Sequence, residues 1–192
     1  MRCFFVAEAG SNWRISEDEL TNFSQAITLV DIAAECGADA VKFQVFSARE
    51  TYALGAGAYD RHGDVEKLFD KLALPRQWLP DLAARCKKND IELMASAFSV
   101  EDARAVNPFV ASHKVASYEC NHQELLDYLN LTDKQVIVST GGASMSQVLF
   151  ARGLVDNLVL LHCACIYPAE AKHVNLAALK ELALLAPVGY SD

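Results

Sequence analysis

The chain predicts an α/β fold of the TIM (β/α)8-barrel type, with seven of the eight expected strands present in 192 residues. Three observations lead there. Short apolar runs alternate with amphipathic stretches along the whole chain, the mark of repeated βα units and a parallel sheet. No Gly-x-Gly-x-x-Gly follows the first run, so a doubly wound dinucleotide fold lacks its fingerprint, and "GAGAYD" at 55–60 stands in a loop. Polar residues recur at the C-terminal ends of the runs, where the loops of a barrel build an active site.

The elements follow in order. Strands are expected at "CFFVAE" (3–8), "DAVKFQ" (39–44), "IELMAS" (91–96), "HKVAS" (113–117), "QVIVST" (135–140), "NLVLLH" (157–162) and "PVGYS" (187–191). The first helix, "FSQAITLVDIAAECG" (23–37), carries Ile27, Val30, Asp31 and Ala34 at helical spacing and Gly37 as its stop. "LPRQWLPDLAARCKKND" (74–90), "NHQELLDYLN" (121–130) and "NLAALKELALL" (175–185) repeat the plan, and Thr-Gly-Gly at 140–142 suits a strand-to-helix turn. No linker or low-complexity tract interrupts them, so residues 1–192 read as one barrel domain.

Composition narrows the function. A net charge of −8 and a pI near 5.1 argue against nucleic acid or an anionic membrane as partner. "MRCFFVAEAG" does not resemble a signal peptide, and no stretch reaches the roughly 20 apolar residues of a membrane span, so a cytoplasmic protein is expected. The six cysteines are scattered and read as reduced core residues rather than a disulfide framework. Only Cys163 and Cys165 are close, and Cys-x-Cys without a nearby His/Cys set is weak support for a metal.

The strand ends carry the chemistry. In "DAVKFQ" the alternation of side chains puts Lys42 and Gln44 on one face and Val41 and Phe43 on the other. The apolar pair faces the helices, which leaves Lys42 and Gln44 near the barrel mouth. Lys42 needs a partner there: either a salt bridge to Glu8 on the neighbouring strand, or a ligand. Lys114 lies on another strand, followed by Ser117 and Glu119; its parity with Ser117 breaks unless the strand ends near Ala116. Ser139 and Thr140 precede two glycines and a helix start, where backbone amides can approach an anion. Two lysines and several hydroxyls together suggest a small phosphate or carboxylate ligand.

At this point seven stretches, "AEAGSNW" (7–13), "GADAVKFQ" (37–44), "ASAFS" (95–99), "HKVASYECN" (113–121), "VIVSTGG" (136–142), "LLHCACIYPAEAKHVNL" (160–176) and "VGYSD" (188–192), resemble the N-acetylneuraminate (sialic acid) synthase family, in that family's order and across essentially the whole chain. The resemblance implies a (β/α)8 barrel, followed in the family by a small antifreeze-like domain that this sequence does not contain. It implies a synthase that condenses phosphoenolpyruvate (PEP) with N-acetylmannosamine or a related N-acetylated amino sugar, using a divalent metal, Mn2+ or Mg2+. Lys42, Ser96, Lys114, Ser117, Ser139 and Ser191 match PEP-holding positions. Gln44, Glu119 and Tyr167 match sugar-contacting positions, and Glu8 matches an acidic residue at the reacting centre. The enol carbon of PEP would attack the open-chain aldehyde, water would add to the resulting cation, and phosphate would leave. Glu8 would orient that water or stabilise the cation; both roles stay open.

The departures count as well. Asn12-Trp13 stands where the family has Asn-His, Ser96-Ala97 where it has Thr-Pro, and Cys165 where it has a polar PEP contact. The family's metal ligands are expected beyond Asp192, so the chain alone is expected to lack the metal and to be impaired. His162 reads as a hydrogen-bonded barrel histidine; His62, His113, His122 and His173 read as loop or helix-cap residues. A barrel one strand short exposes two strand edges and is expected to form a homo-oligomer. Two alternatives remain: a non-catalytic phosphate-, PEP- or partner-binding barrel remnant, and a Schiff-base aldolase using Lys42 or Lys114.

Overall fold

The computed structural model describes residues 2–51, 65–166 and 168–191. The chain divides into two compact units, 1–111 and 112–192, each a set of parallel strands alternating with helices.

The first unit runs β1 (Val6–Gly10), α1 (Glu19–Glu35), β2 (Ala40–Val45), α2 (Ala48–Thr51), α3 (Val65–Leu72), α4 (Leu79–Lys88), β3 (Glu92–Ala97) and α5 (Val100–Val106). Strand β2 lies between β1 and β3 and is parallel to both. The register sets Glu8 opposite Lys42 and Gln44 opposite Ser96, so a single face of three strands carries all four predicted polar groups. Its other face is apolar: Val41, Phe43 and Val45 are fully buried, as the alternation of "DAVKFQ" predicts.

Local chemistry explains the frame. Asp18 caps α1 by accepting the Thr21 N–H, and Asn22, fully buried, ties down the entering loop by accepting the Ile15 and Ser16 N–H groups and donating to the Ser16 carbonyl. Helices α1 and α4 are joined by a bidentate pair, Arg85 Nε and Nη2 each 2.6 Å from an Asp31 oxygen, with Asn89 adding a third donor. This guanidinium and amide hold the Asp31 carboxyl below its usual range. Trp13 and Trp78 meet edge to face at 5.2 Å, with Phe23 against Trp78, and build the core beneath α1. The short helices α2, α3 and α5 lie where the sequence pattern marks none, whereas α6 and α8, equally short, stand within the periodic stretches 121–130 and 175–185.

The second unit runs β4 (Ser112–Val115), α6 (Gln123–Asn130), β5 (Gln135–Ser139), α7 (Met145–Leu154), β6 (Leu158–His162), α8 (Ala178–Leu182) and β7 (Val188–Tyr190). Its strands pair in sequence order, all parallel. Lys114 faces Ile137 across the β4–β5 pair, so Lys114 and Ser139 share a face. Helix α7 opens on a full capping box, Ser144 with Gln147.

Two expectations change. His113 is not a loop or cap residue: it sits on β4 and is 1% exposed, because its parity is opposite to that of Lys114 and turns it to the apolar side. His122 and His173 do lie at a helix cap and in a short 3-10 turn, and His62 lies outside the described residues. The cysteines are only half core: Cys86, Cys120 and Cys163 are buried, while Cys3, Cys36 and Cys165 are exposed, and all six are free.

Candidate functional site

In the first unit the site is built on β1–β3. Lys42 Nζ pairs with Glu8 Oε2, and Gln44 Nε2 donates to Glu8 Oε1 at 3.0 Å. Glu8 is therefore gripped through both oxygens, while nearly half of its side chain stays open to solvent. Lys42 also lies 3.4 Å from Ser96 Oγ, a long hydrogen bond. Of the two partners open to Lys42, the salt bridge to Glu8 is the one formed. The register irregularity between Glu8 and Gly10 makes this grip possible: Gly10 has φ +52°, and a Cβ there would stand 3.1 Å from Glu8 Oε1 and 3.6 Å from Gln44 Nε2.

In the second unit Lys114 is 5% exposed, and its ammonium donates to Ser139 Oγ at 2.7 Å and to the Val115 carbonyl at 2.6 Å. Strand β4 ends at Val115 and a 3-10 turn follows over Ser117–Glu119, which resolves the parity conflict between Lys114 and Ser117. The turn brings Ser117 Oγ to 3.1 Å from Cys163 Sγ, where it also accepts the Gly141 N–H at 3.1 Å. Glu119 follows with its Oε2 buried and without a hydrogen-bond partner among the described residues. Burial raises its carboxyl above the ordinary range, against the opposing pull of a backbone N–H and of Lys114. A polar atom of a ligand would complete the bonding of Oε2.

Two groups differ from expectation. Thr140 is structural: its hydroxyl donates to the Leu161 carbonyl at 3.0 Å. Helix α7 begins four residues after Gly141, and its capping box engages the Ser144 and Gln147 N–H groups, so "STGG" forms a turn ahead of the helix and not its first turn. Ser191 is held at the end of β7, its N–H donating to the His162 carbonyl at 2.9 Å. His162 is hydrogen-bonded as expected, its Nε2 2.7 Å from the Val174 carbonyl. Tyr167 lies outside the described residues.

Sequence reasoning missed Gly10, Gly141 and Cys163 as parts of these constellations. "STGG" and the Cys-x-Cys spacing were the available signals, yet neither says that Ser117 joins them. The divalent metal implied by the resemblance finds no fitting set: among the described residues no three His, Cys, Asp or Glu side chains stand close enough to hold an ion. No helix among the described residues is long and apolar enough to cross a membrane.

Comparison with known proteins places these features. The spore coat polysaccharide biosynthesis protein SpsE of Bacillus subtilis is 32% identical, over 98% of this chain and 52% of its own length. The N,N'-diacetyllegionaminic acid synthase of Campylobacter jejuni is 30% identical, over 100% of this chain and 60% of its own. Among solved structures, the N-acetylneuraminic acid (sialic acid) synthetase of Leptospira borgpetersenii superposes with a TM-score of 0.85 at 27% identity, covering 98% of this chain and 64% of that one. The chain thus spans between half and two thirds of the length of these relatives. The NeuB family model matches residues 29–192, which include every residue of the two candidate constellations except Glu8 and Gly10, and on that match the chain belongs to the NeuB family.

Proposed function

We propose that this chain binds phosphoenolpyruvate through Lys42, Ser96, Lys114, Ser117, Ser139 and Ser191, and serves the condensation of PEP with N-acetylmannosamine or a related N-acetylated amino sugar. The observation that carries this reading is Lys114: an ammonium sunk to 5% exposure beside the hydroxyls of a strand end. A cation in such a place stabilises a bound anion far more than one in water does, because less solvent screens it. Two lysines and four serines suit a ligand bearing both phosphate and carboxylate.

The remaining roles follow the chemistry. The enol carbon bonds to the sugar aldehyde carbon, water adds to the cation left at the second carbon, and phosphate departs with its bridging oxygen. Glu8, held on both oxygens by Lys42 and Gln44, offers a fixed carboxylate beside that cation. Gln44, Glu119 and Tyr167 serve the sugar, with Glu119 Oε2 available to a polar atom of the sugar. A divalent metal and a cytoplasmic setting belong to the same proposal.

Calorimetric titration of PEP into the chain tests the binding. Association that weakens roughly thirtyfold in Lys114→Met is expected, and a chain that binds neither PEP nor inorganic phosphate refutes the reading. A second reading, binding without turnover, is favoured by the lack of a metal-holding set among the described residues. Phosphate release from PEP with N-acetylmannosamine and Mn2+ separates the two: sustained release supports the synthase, and binding without release supports the remnant.

A further inference from the structure

We propose that Cys163 and Cys165 form a reversible disulfide that controls the Ser117–Gly141 pair. A Cβ placed on Gly141 would lie 2.6 Å from Cys165 Sγ and 2.7 Å from Cys163 Sγ. The two sulfurs are therefore no farther apart than the sum of those distances, and both are free thiols. One intervening residue keeps their Cα atoms within about 7 Å, at the edge of the span a disulfide bridges. The segment 163–166 carries no helix or strand hydrogen bonding that closure would have to break. Cys165 is exposed and open to an oxidant, whereas Cys163 is 9% exposed and lies at 3.1 Å from Ser117 Oγ. The three heavy atoms nearest a Gly141 Cβ would be these two sulfurs and Ser117 Oγ, so a glycine here is the condition for the thiols to approach.

The oxidant is a peroxide. Cys165 sulfur attacks one peroxide oxygen, an S–O bond forms as the O–O bond breaks, and the departing hydroxide takes the thiol proton as water. Cys163 sulfur then attacks the sulfenic sulfur, the S–S bond forms as the S–O bond breaks, and the second hydroxide leaves with the Cys163 proton. Two thiols are oxidised, one peroxide is reduced and two waters result. A dithiol reverses the step by two exchanges. Partial desolvation of its sulfur and the neighbouring Cys163 hold the Cys165 thiol above its ordinary range, so pairing quickens as pH rises.

Closure removes the Cys163 thiol from Ser117, whose hydroxyl also accepts the Gly141 N–H. The effect on ligand binding rests on the reading of Ser117 as a PEP contact; the disulfide itself does not.

Trypsin tests the pair directly, because cleavage after Arg152 and Lys172 yields a peptide, 153–172, whose only cysteines are Cys163 and Cys165. The 192-residue chain is treated with hydrogen peroxide, unfolded, alkylated with iodoacetamide and digested. The expected peptide is unalkylated and two hydrogens lighter, and dithiothreitol before alkylation returns it doubly alkylated. A peptide doubly alkylated after peroxide, carrying sulfinic acid at Cys165, or cross-linked to the peptide bearing Cys120 overturns the proposal. Gly141→Ala is expected to slow pairing at least tenfold, and an unchanged rate refutes the geometric argument. Oxidised chain is expected to bind PEP at least tenfold more weakly than reduced chain; equal affinity overturns control while the peptide mass still decides the disulfide. Reduced chain that binds no PEP sinks the functional reading alone.

Discussion

Lowering the pH should unfold this protein through His113. The imidazole is 1% exposed on β4, and burial, helped by the charge of Lys134, lowers its pKa from 6.5 to about 4. Between those values the unfolded chain takes up a proton that the folded chain refuses. Stability is therefore complete above pH 6.5 and drains away as pH falls toward 4. At 1.36 kcal/mol for each unit, the full difference is about 3 kcal/mol, a large share of the stability of a small domain. Asp102 and Glu119 act in the opposite sense: burial raises their pKa values, so their contributions are present at low pH and lost as pH rises through the folded values. Comparison with a non-titrating variant removes these common terms. Urea unfolding of the parent chain and of His113→Gln at pH 7 and pH 4.5 is the assay. The variant starts out less stable, but the parent should lose about 2–3 kcal/mol more than it does over that interval. Parallel losses would show that His113 titrates normally in the folded state.

Other outcomes follow from named contacts. Lys114→Met should weaken PEP binding by about 2 kcal/mol, roughly thirtyfold, in calorimetry, since it removes a charged donor from a buried site. Ser96→Ala should weaken PEP binding by about tenfold, because it removes a ligand-facing hydroxyl otherwise held only by a long 3.4 Å bond to Lys42, and an unchanged affinity would take Ser96 out of the PEP site. Arg76→Ala strips the cation from Asp102, whose side chain is fully buried and otherwise bonded to Ser99; about 1–3 kcal/mol is expected in urea melts, moderated because Arg76 is 43% exposed. Gly10→Ala should impair PEP-dependent turnover more than stability, since the new methyl presses on Glu8 and Gln44, and unchanged turnover would separate Glu8 from the chemistry.

Strand positions, the α/β class and the polar strand ends were legible in the residues because they depend on local periodicity and on parity. "DAVKFQ" alone places Lys42 and Gln44 on one face, and the structure keeps that division to the residue. Helices α1, α4, α6 and α8 are visible for the same reason, since each stands within a stretch of helical periodicity, whereas α2, α3 and α5 stand in stretches that show none. His113 is legible in principle, since it lies next to Lys114 on the same strand, but a histidine carries no apolar signal and by itself reads as a loop or helix-cap residue.

Partnership was a matter of tertiary packing. Lys42 had two chemically sound partners in the sequence, and only the β1–β2 register, with its irregularity at Gly10, chose Glu8. Ser117, Gly141 and Cys163 are separated by more than twenty residues at each step and meet because β4, β5 and β6 end together at one edge of a parallel sheet. Periodicity reports which side of a strand a residue takes, since that is set by its immediate neighbours. Which atoms then meet is set by strand register and loop path, and those are fixed only when distant segments pack.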